Sequence, residues 1–139
     1  MQMTNLLLDT HIWIWLMNGD PILSARSRAL IDTSHREGCL FVSAISTWEV
    51  AMLEKKKRIV LNQPCIEWVK TSLKHGIQLL PLTPEIAVES CHLPDYDAGD
   101  PADRMIIATA RMESLQLLTC DERIIAYGEK NRVAVISAQ

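Results

Sequence analysis

The sequence predicts an α/β protein, a three-layer α/β/α sandwich around a central, mainly parallel sheet. Two observations carry this expectation. Short apolar segments alternate with segments of helical character, as in strands joined by crossover helices. The short segments are also continuously apolar, as strands covered on both faces are. A length of 139 residues fits one domain, expected over 1–139, and can bury a core without a disulfide or a metal.

The elements follow in order. Residues 5–8 form an apolar run that stops at Asp9 and read as a buried strand. Residues 11–17 are apolar on all sides and end at Asn18-Gly19-Asp20-Pro21, so they read as a short buried or interface helix. Ser24 is an N-cap for a helix reaching Arg36, closed by Gly38. Residues 40–42 are a second strand, and Ser43 caps a helix over 44–56. Asn62 and Pro64 open a helix that passes through Trp68 to His75 and stops at Gly76. Residues 78–80 are a third strand, 84–93 a helix and 94–99 a loop. Asp100-Pro101 starts a helix to Ser114, residues 115–119 form a strand, and Asp121 opens a short helix. A last strand covers 133–136.

Composition excludes several classes. With 48% apolar and 22% charged residues the chain is not a disordered tail. Its 17 acidic against 14 basic side chains exclude histone-like arms and polybasic membrane binders. The four cysteines show no metal-ligand spacing and read as small core residues of a cytoplasmic protein. No signal peptide or apolar span is expected, so no membrane partner is either.

Four acids stand where a core-building sequence would not put them. In open α/β sheets ligands bind beyond the carboxyl ends of the strands. Asp9 and Asp121 both follow strands, so both belong to that edge, although each could serve only as an N-cap. Glu49 falls on an apolar stripe read as Ile45, Trp48, Met52 and Leu53. A carboxylate there is costly unless paired, protonated or metal-bound. Asp103 lies one turn before Ile106 and Ile107 on the buried face of its helix, whereas Asp100 suits the N-cap. Converging carboxylates raise one another's pKa, and a hard divalent cation relieves the conflict. There is no GxSxG or GxxxxGK motif and no nucleophile placed beside a base. Metal-activated water and phosphodiester hydrolysis fit such a site.

Four segments then resemble the PIN-domain family, and within it VapC-type ribonuclease toxins of type II toxin–antitoxin systems. They are Leu7-Leu8-Asp9-Thr10-His11, Ser43-Ala44-Ile45-Ser46-Thr47-Trp48-Glu49-Val50, Gly99-Asp100-Pro101-Ala102-Asp103-Arg104 with Ile106 to Ala110, and Leu118-Thr119-Cys120-Asp121-Glu122-Arg123-Ile124. The resemblance runs in order over essentially the whole chain. It implies magnesium- or manganese-dependent RNA cleavage leaving a 5′-phosphate and a 3′-hydroxyl. It implies catalytic roles for Asp9, Glu49, Asp103 and Asp121, with Asp9, Asp103 and Asp121 on the metal and Glu49 on the attacking water. Thr119 and Asp100 match supporting positions. Ala98 stands where the subgroup often has histidine, which removes a histidine contact to substrate. The resemblance also implies a homodimer and a cognate antitoxin protein as partner.

Lys55, Lys56, Lys57 and Arg58 form the one basic cluster. It is either a solvated helix end or a clamp on RNA phosphates. Two other functions are weighed. A phospho-acceptor regulatory domain needs a lysine at a strand end, and none is present. A non-catalytic PIN-like partner-binding module has no need of four intact acids.

Overall fold

The computed structural model describes residues 4–96 and 99–138. Asp97 and Ala98 lie outside the described residues, and with them the Ala98 expectation. The described chain alternates strands and helices: β1 (Leu6–Leu8), α1 (Thr10–Asn18), α2 (Ala25–Arg36), β2 (Leu40–Ser43), α3 (Ala44–Lys55), α4 (Cys65–Lys74), β3 (Gln78–Leu80), α5 (Pro84–Cys91), α6 (Pro101–Met112), β4 (Gln116–Thr119), α7 (Glu122–Glu129) and β5 (Val135–Ser137).

The five strands form one sheet in the order β3-β2-β1-β4-β5, and every pairing is parallel. Side chains alternate across it, which accounts for the continuously apolar strands. Leu6 and Leu8 enter a core with Ile12, Trp13, Ile31, Val42, Val50 and Trp68, against α1, α2 and α4. Leu7 enters the opposite core with Ile86, Ile106, Ile107, Leu117, Ile124 and Tyr127, against α5, α6 and α7. Helix α3 serves both layers, since Val50 packs on the first and Ile45 on the second. This places α3 at their seam.

Helix starts follow the expected chemistry. The side chains of Ser24, Ser43, Thr83 and Asp100 each accept a backbone N–H of the first turn that follows. Gly19 ends α1 in the left-handed region, where a side chain would be strained.

Three expectations need correction. The buried residues of α3 are Ser46, Glu49, Val50 and Leu53, and Trp48 is exposed. Glu49 is buried as expected, but the stripe is rotated from the one read on Ile45 and Trp48. Hydrophobicity alone misses Ser46, which is fully buried because its hydroxyl meets that of Thr10. Ile66, which reads with Trp68 and Val69 as one helix packing face, is exposed while those two are buried. Of the cysteines, Cys39 is buried, Cys65 and Cys120 are half-buried and Cys91 is exposed, so they are not uniformly core residues.

Candidate active site

The strand order reverses direction at β1, whose neighbours are β2 on one side and β4 on the other. A crevice opens at such a switch point, beyond the strand ends. Leu8 pairs with Leu118, and the Asp9 N–H donates to the Leu118 carbonyl at 3.0 Å. Asp9 and Thr119 therefore stand side by side. The Thr119 hydroxyl donates to Asp9 Oδ2 at 2.5 Å and accepts the Asp121 N–H at 3.0 Å. One hydroxyl thus links the ends of β1 and β4.

Asp9 also caps α1, its Oδ1 accepting the Thr10 N–H at 2.8 Å. Asp121 caps α7 through the N–H groups of Arg123 and Ile124. Asp100 caps α6 through Ala102 N–H at 2.8 Å. All three acids thus fill the capping role that their positions suggest. Capping does not remove them from the site, because each keeps an oxygen that the helix does not use.

Glu49 and Asp103 need tertiary packing to arrive. Helix α3 packs on α1 and α6. The Thr10 hydroxyl donates to Glu49 Oε1 at 2.5 Å and lies 2.9 Å from Ser46 Oγ. A hydroxyl has one proton. With that proton on the carboxylate, Ser46 donates to Thr10 in turn. The sequence alone does not single out Thr10 and Ser46, since nothing local distinguishes them from ordinary helix polar residues.

These side chains enclose a cavity of about 340 Å³ lined by Asp9, Glu49, Asp100, Asp103 and Asp121 together with His11, Ile12, Trp15 and Cys120. No lysine or arginine lines it among the described residues. Burial is the largest influence on Asp103 and, with repulsion from Asp9, Glu49, Asp121 and Asp100, pushes its carboxyl up to about 7. Burial also raises Glu49, against the Thr10 bond, with Asp9 and Asp100 adding to the rise. Burial raises Asp9, while Thr119, the Thr10 N–H and the nearby His11 pull it down. Desolvation comes first in all three, with mutual repulsion added to it.

Among the described residues no three acidic, histidine or cysteine side chains already converge as a closed metal-ligand set. The carboxylates line the walls of the cavity instead. Their chemistry still fits a hard divalent cation: carboxylate oxygens that raise one another, with no lysine or arginine in the described lining. Thr119 and Thr10 fix Asp9 and Glu49 by hydrogen bonds, in the way outer partners orient the ligands of a metal.

Lys55, Lys56, Lys57 and Arg58 lie at the far end of α3 and do not line the cavity. Tyr96 is a further neighbour that the sequence alone does not mark. Its ring lies edge-on to Tyr127, with centroids 4.9 Å apart. Gly99 crosses over its hydroxyl with φ +115°, a conformation that strains any side chain, and a Cβ there would press on the Tyr96 ring.

The fold and site define an α/β/α protein whose acidic cleft lies at the switch point of a parallel sheet. Residues 6–130 match the model of the PIN domain family, and the chain belongs to that family. It is 34% identical over 133 residues to Ribonuclease VapC22 of Mycobacterium tuberculosis, covering 96% of this chain and 99% of that one. Its fold is similar to that in DNA-bound VapBC from Salmonella typhimurium, with a TM-score of 0.72, 14% identity and coverage of 99% and 100%. It is also similar to FitAcB from Neisseria gonorrhoeae, with a TM-score of 0.64, 26% identity and coverage of 96% and 97%. No helix among the described residues is long and apolar enough to cross a membrane.

Proposed function

We propose that this chain is a divalent-cation-dependent endoribonuclease, the toxin of a type II toxin–antitoxin pair. The observation that carries the reading is the convergence of five carboxylates on one cavity whose described lining holds no lysine or arginine. Similarity to a VapC ribonuclease over nearly the whole chain supports RNA as substrate.

Asp9, Asp103 and Asp121 would hold magnesium or manganese. When bound, the cation polarises a phosphoryl oxygen and steadies the leaving oxygen. Thr119 keeps Asp9 in the rotamer that faces the cavity. Glu49, held by Thr10, takes the proton of the attacking water. Water oxygen bonds to phosphorus as the bond to O3′ breaks, and the departing O3′ takes up a proton. The products are a 5′-phosphate and a 3′-hydroxyl. Asp100 supports the site by fixing the start of α6, and with it Asp103. The cluster from Lys55 to Arg58 makes outer contacts to RNA phosphates. The protein acts in the cytoplasm as a homodimer and is silenced by its antitoxin.

The test is direct. The purified chain, free of partner, is incubated with total cellular RNA with and without manganese, beside Asp9→Asn. Discrete cleavage that needs both manganese and Asp9 is the expected outcome. Intact RNA under all conditions overturns the reading.

A further inference from the structure

Three tryptophans of the two helices α1 and α4 have different fates. Trp13 and Trp68 are fully buried and packed on each other, with centroids 4.9 Å apart. Their indole N–H groups are bound, to Ser72 Oγ at 2.6 Å and Asn18 Oδ1 at 3.2 Å. Both are spent on the core. Trp15 is half-buried, rests in part on the first core, lines the acidic cavity with the rest of its ring and has no hydrogen bond to its indole N–H among the described residues. His11 stands four residues earlier on the same helix face, also on the cavity, with its ring centroid 6.1 Å from that of Trp15. Among the described residues, every other side chain that lines the cleft is a carboxylate, a thiol or the buried Ile12.

Two aromatic rings beside a phosphate-cleaving centre have a specific use. A nucleotide brings a charged phosphate and a flat base joined through one sugar. The carboxylate side serves the phosphate through the cation, but it offers the base no flat face to stack on. Aromatic faces bind unstacked bases, at about 1–3 kcal/mol per base on removal of the ring. The free indole N–H adds a donor for a base acceptor or a phosphate oxygen.

We propose that Trp15, flanked by His11, is the wall on which the base next to the scissile phosphate stacks, which makes Trp15 a substrate-binding residue that holds the RNA in place whatever the base. The proposal rests on the ribonuclease reading above.

The experiment uses Asp9→Asn, which keeps the cap of α1 and blocks cleavage, mixed with manganese and short RNAs carrying 2-aminopurine at successive positions. Quenching at one position, abolished when Trp15→Ala is added, supports the wall. RNA affinity should then fall roughly tenfold. Trp15→Phe should keep most of the affinity and His11→Ala should lose less than Trp15→Ala. In the cleaving protein Trp15→Ala should raise KM by about the same factor and leave kcat nearly unchanged. If Trp15→Ala does not fold, Trp15→Phe and His11→Ala carry the comparison. Unchanged affinity and quenching without Trp15 overturn the wall, as does shielding of Trp15 by an antitoxin peptide but never by RNA. Cleavage by the wild type with no Trp15-dependent quenching sinks the wall alone. Absence of both cleavage and RNA binding sinks the ribonuclease reading with it.

Discussion

Helix α1 separates two cavities of opposite character. On one side Trp15 and His11 face five carboxylates in about 340 Å³. On the other, Leu16 and Met17 face Arg28, Asp32, His35 and His75 around Leu40 and Ile77, in about 530 Å³. The second is larger and more apolar, yet it lies at the amino-terminal ends of the strands, as Leu40 begins β2 and Ile77 precedes β3. Its basic side chains already have uses. Arg28 binds the carbonyls of Asp20 and Leu23, and His35 meets the His75 carbonyl. The comparison teaches that cavity size does not locate chemistry here. Uncompensated charge at the carboxyl edge does.

The sharpest break between the two cavities comes from Asp9→Asn. Asparagine caps helices as well as aspartate, so the fold should hold. Cleavage should fall by more than the roughly 10–100-fold that removal of an outer hydrogen-bond partner costs a metal site. Asp32→Ala, in the other cavity, should leave the cleavage rate unchanged when both are assayed side by side.

Thr119→Val should have the next effect. It removes the hydroxyl that joins Asp9 to the Asp121 N–H. Cation affinity, read from the manganese dependence of cleavage, should drop about tenfold. Thermal or denaturant unfolding should show destabilisation by about 1–3 kcal/mol, because the Asp121 N–H is left without its acceptor.

A pH titration of stability separates the cavities without mutation. Asp103 moves from 3.8 to about 7 on folding. The folded, cation-free chain therefore binds this proton more tightly than the unfolded chain. Stability should fall as pH rises from about 4 to about 7, then level off. Unfolding followed by circular dichroism should give a higher Tm near pH 5.5 than near pH 8. Saturating manganese should flatten the difference, and Asp103→Asn should reduce it, leaving the part that comes from Asp9 and Glu49, which burial also raises.

The smallest effect belongs to the basic cluster. Lys55→Glu with Lys56→Glu should weaken RNA binding only a few-fold and reduce the salt slope by about 0.7 for each phosphate no longer neutralised. An unchanged slope would mark the cluster as a solvated helix end.

Much of this architecture is legible locally. Breakers and caps such as Asn18-Gly19-Asp20-Pro21, Ser43 and Asp100-Pro101 mark helix ends, because a cap is an interaction within one turn. Strand identity is legible because Leu6, Leu7 and Leu8 satisfy two faces at once. Strand ends are less so: the last strand runs over Val135–Ser137, beyond its apolar start at Val133. The orientation of α3 is not legible locally, because burial of Ser46 depends on the hydroxyl of Thr10 in another helix.

The sequence by itself determined that the chain alternates strand and helix, that Asp9 and Asp121 follow strands, and that Asp103 stands one turn before the buried Ile106 and Ile107 of its helix. These are consequences of periodicity and capping, which act over a few residues. Only the tertiary structure decided that β1 and β4 are neighbours, which face of α3 is buried with Glu49, that Thr119 and Thr10 hold two of the acids, and that Trp15 reaches the cleft while Trp13 lies wholly in the core. Those outcomes depend on strand order and helix packing, where side chains far apart in the chain compete for the same buried space.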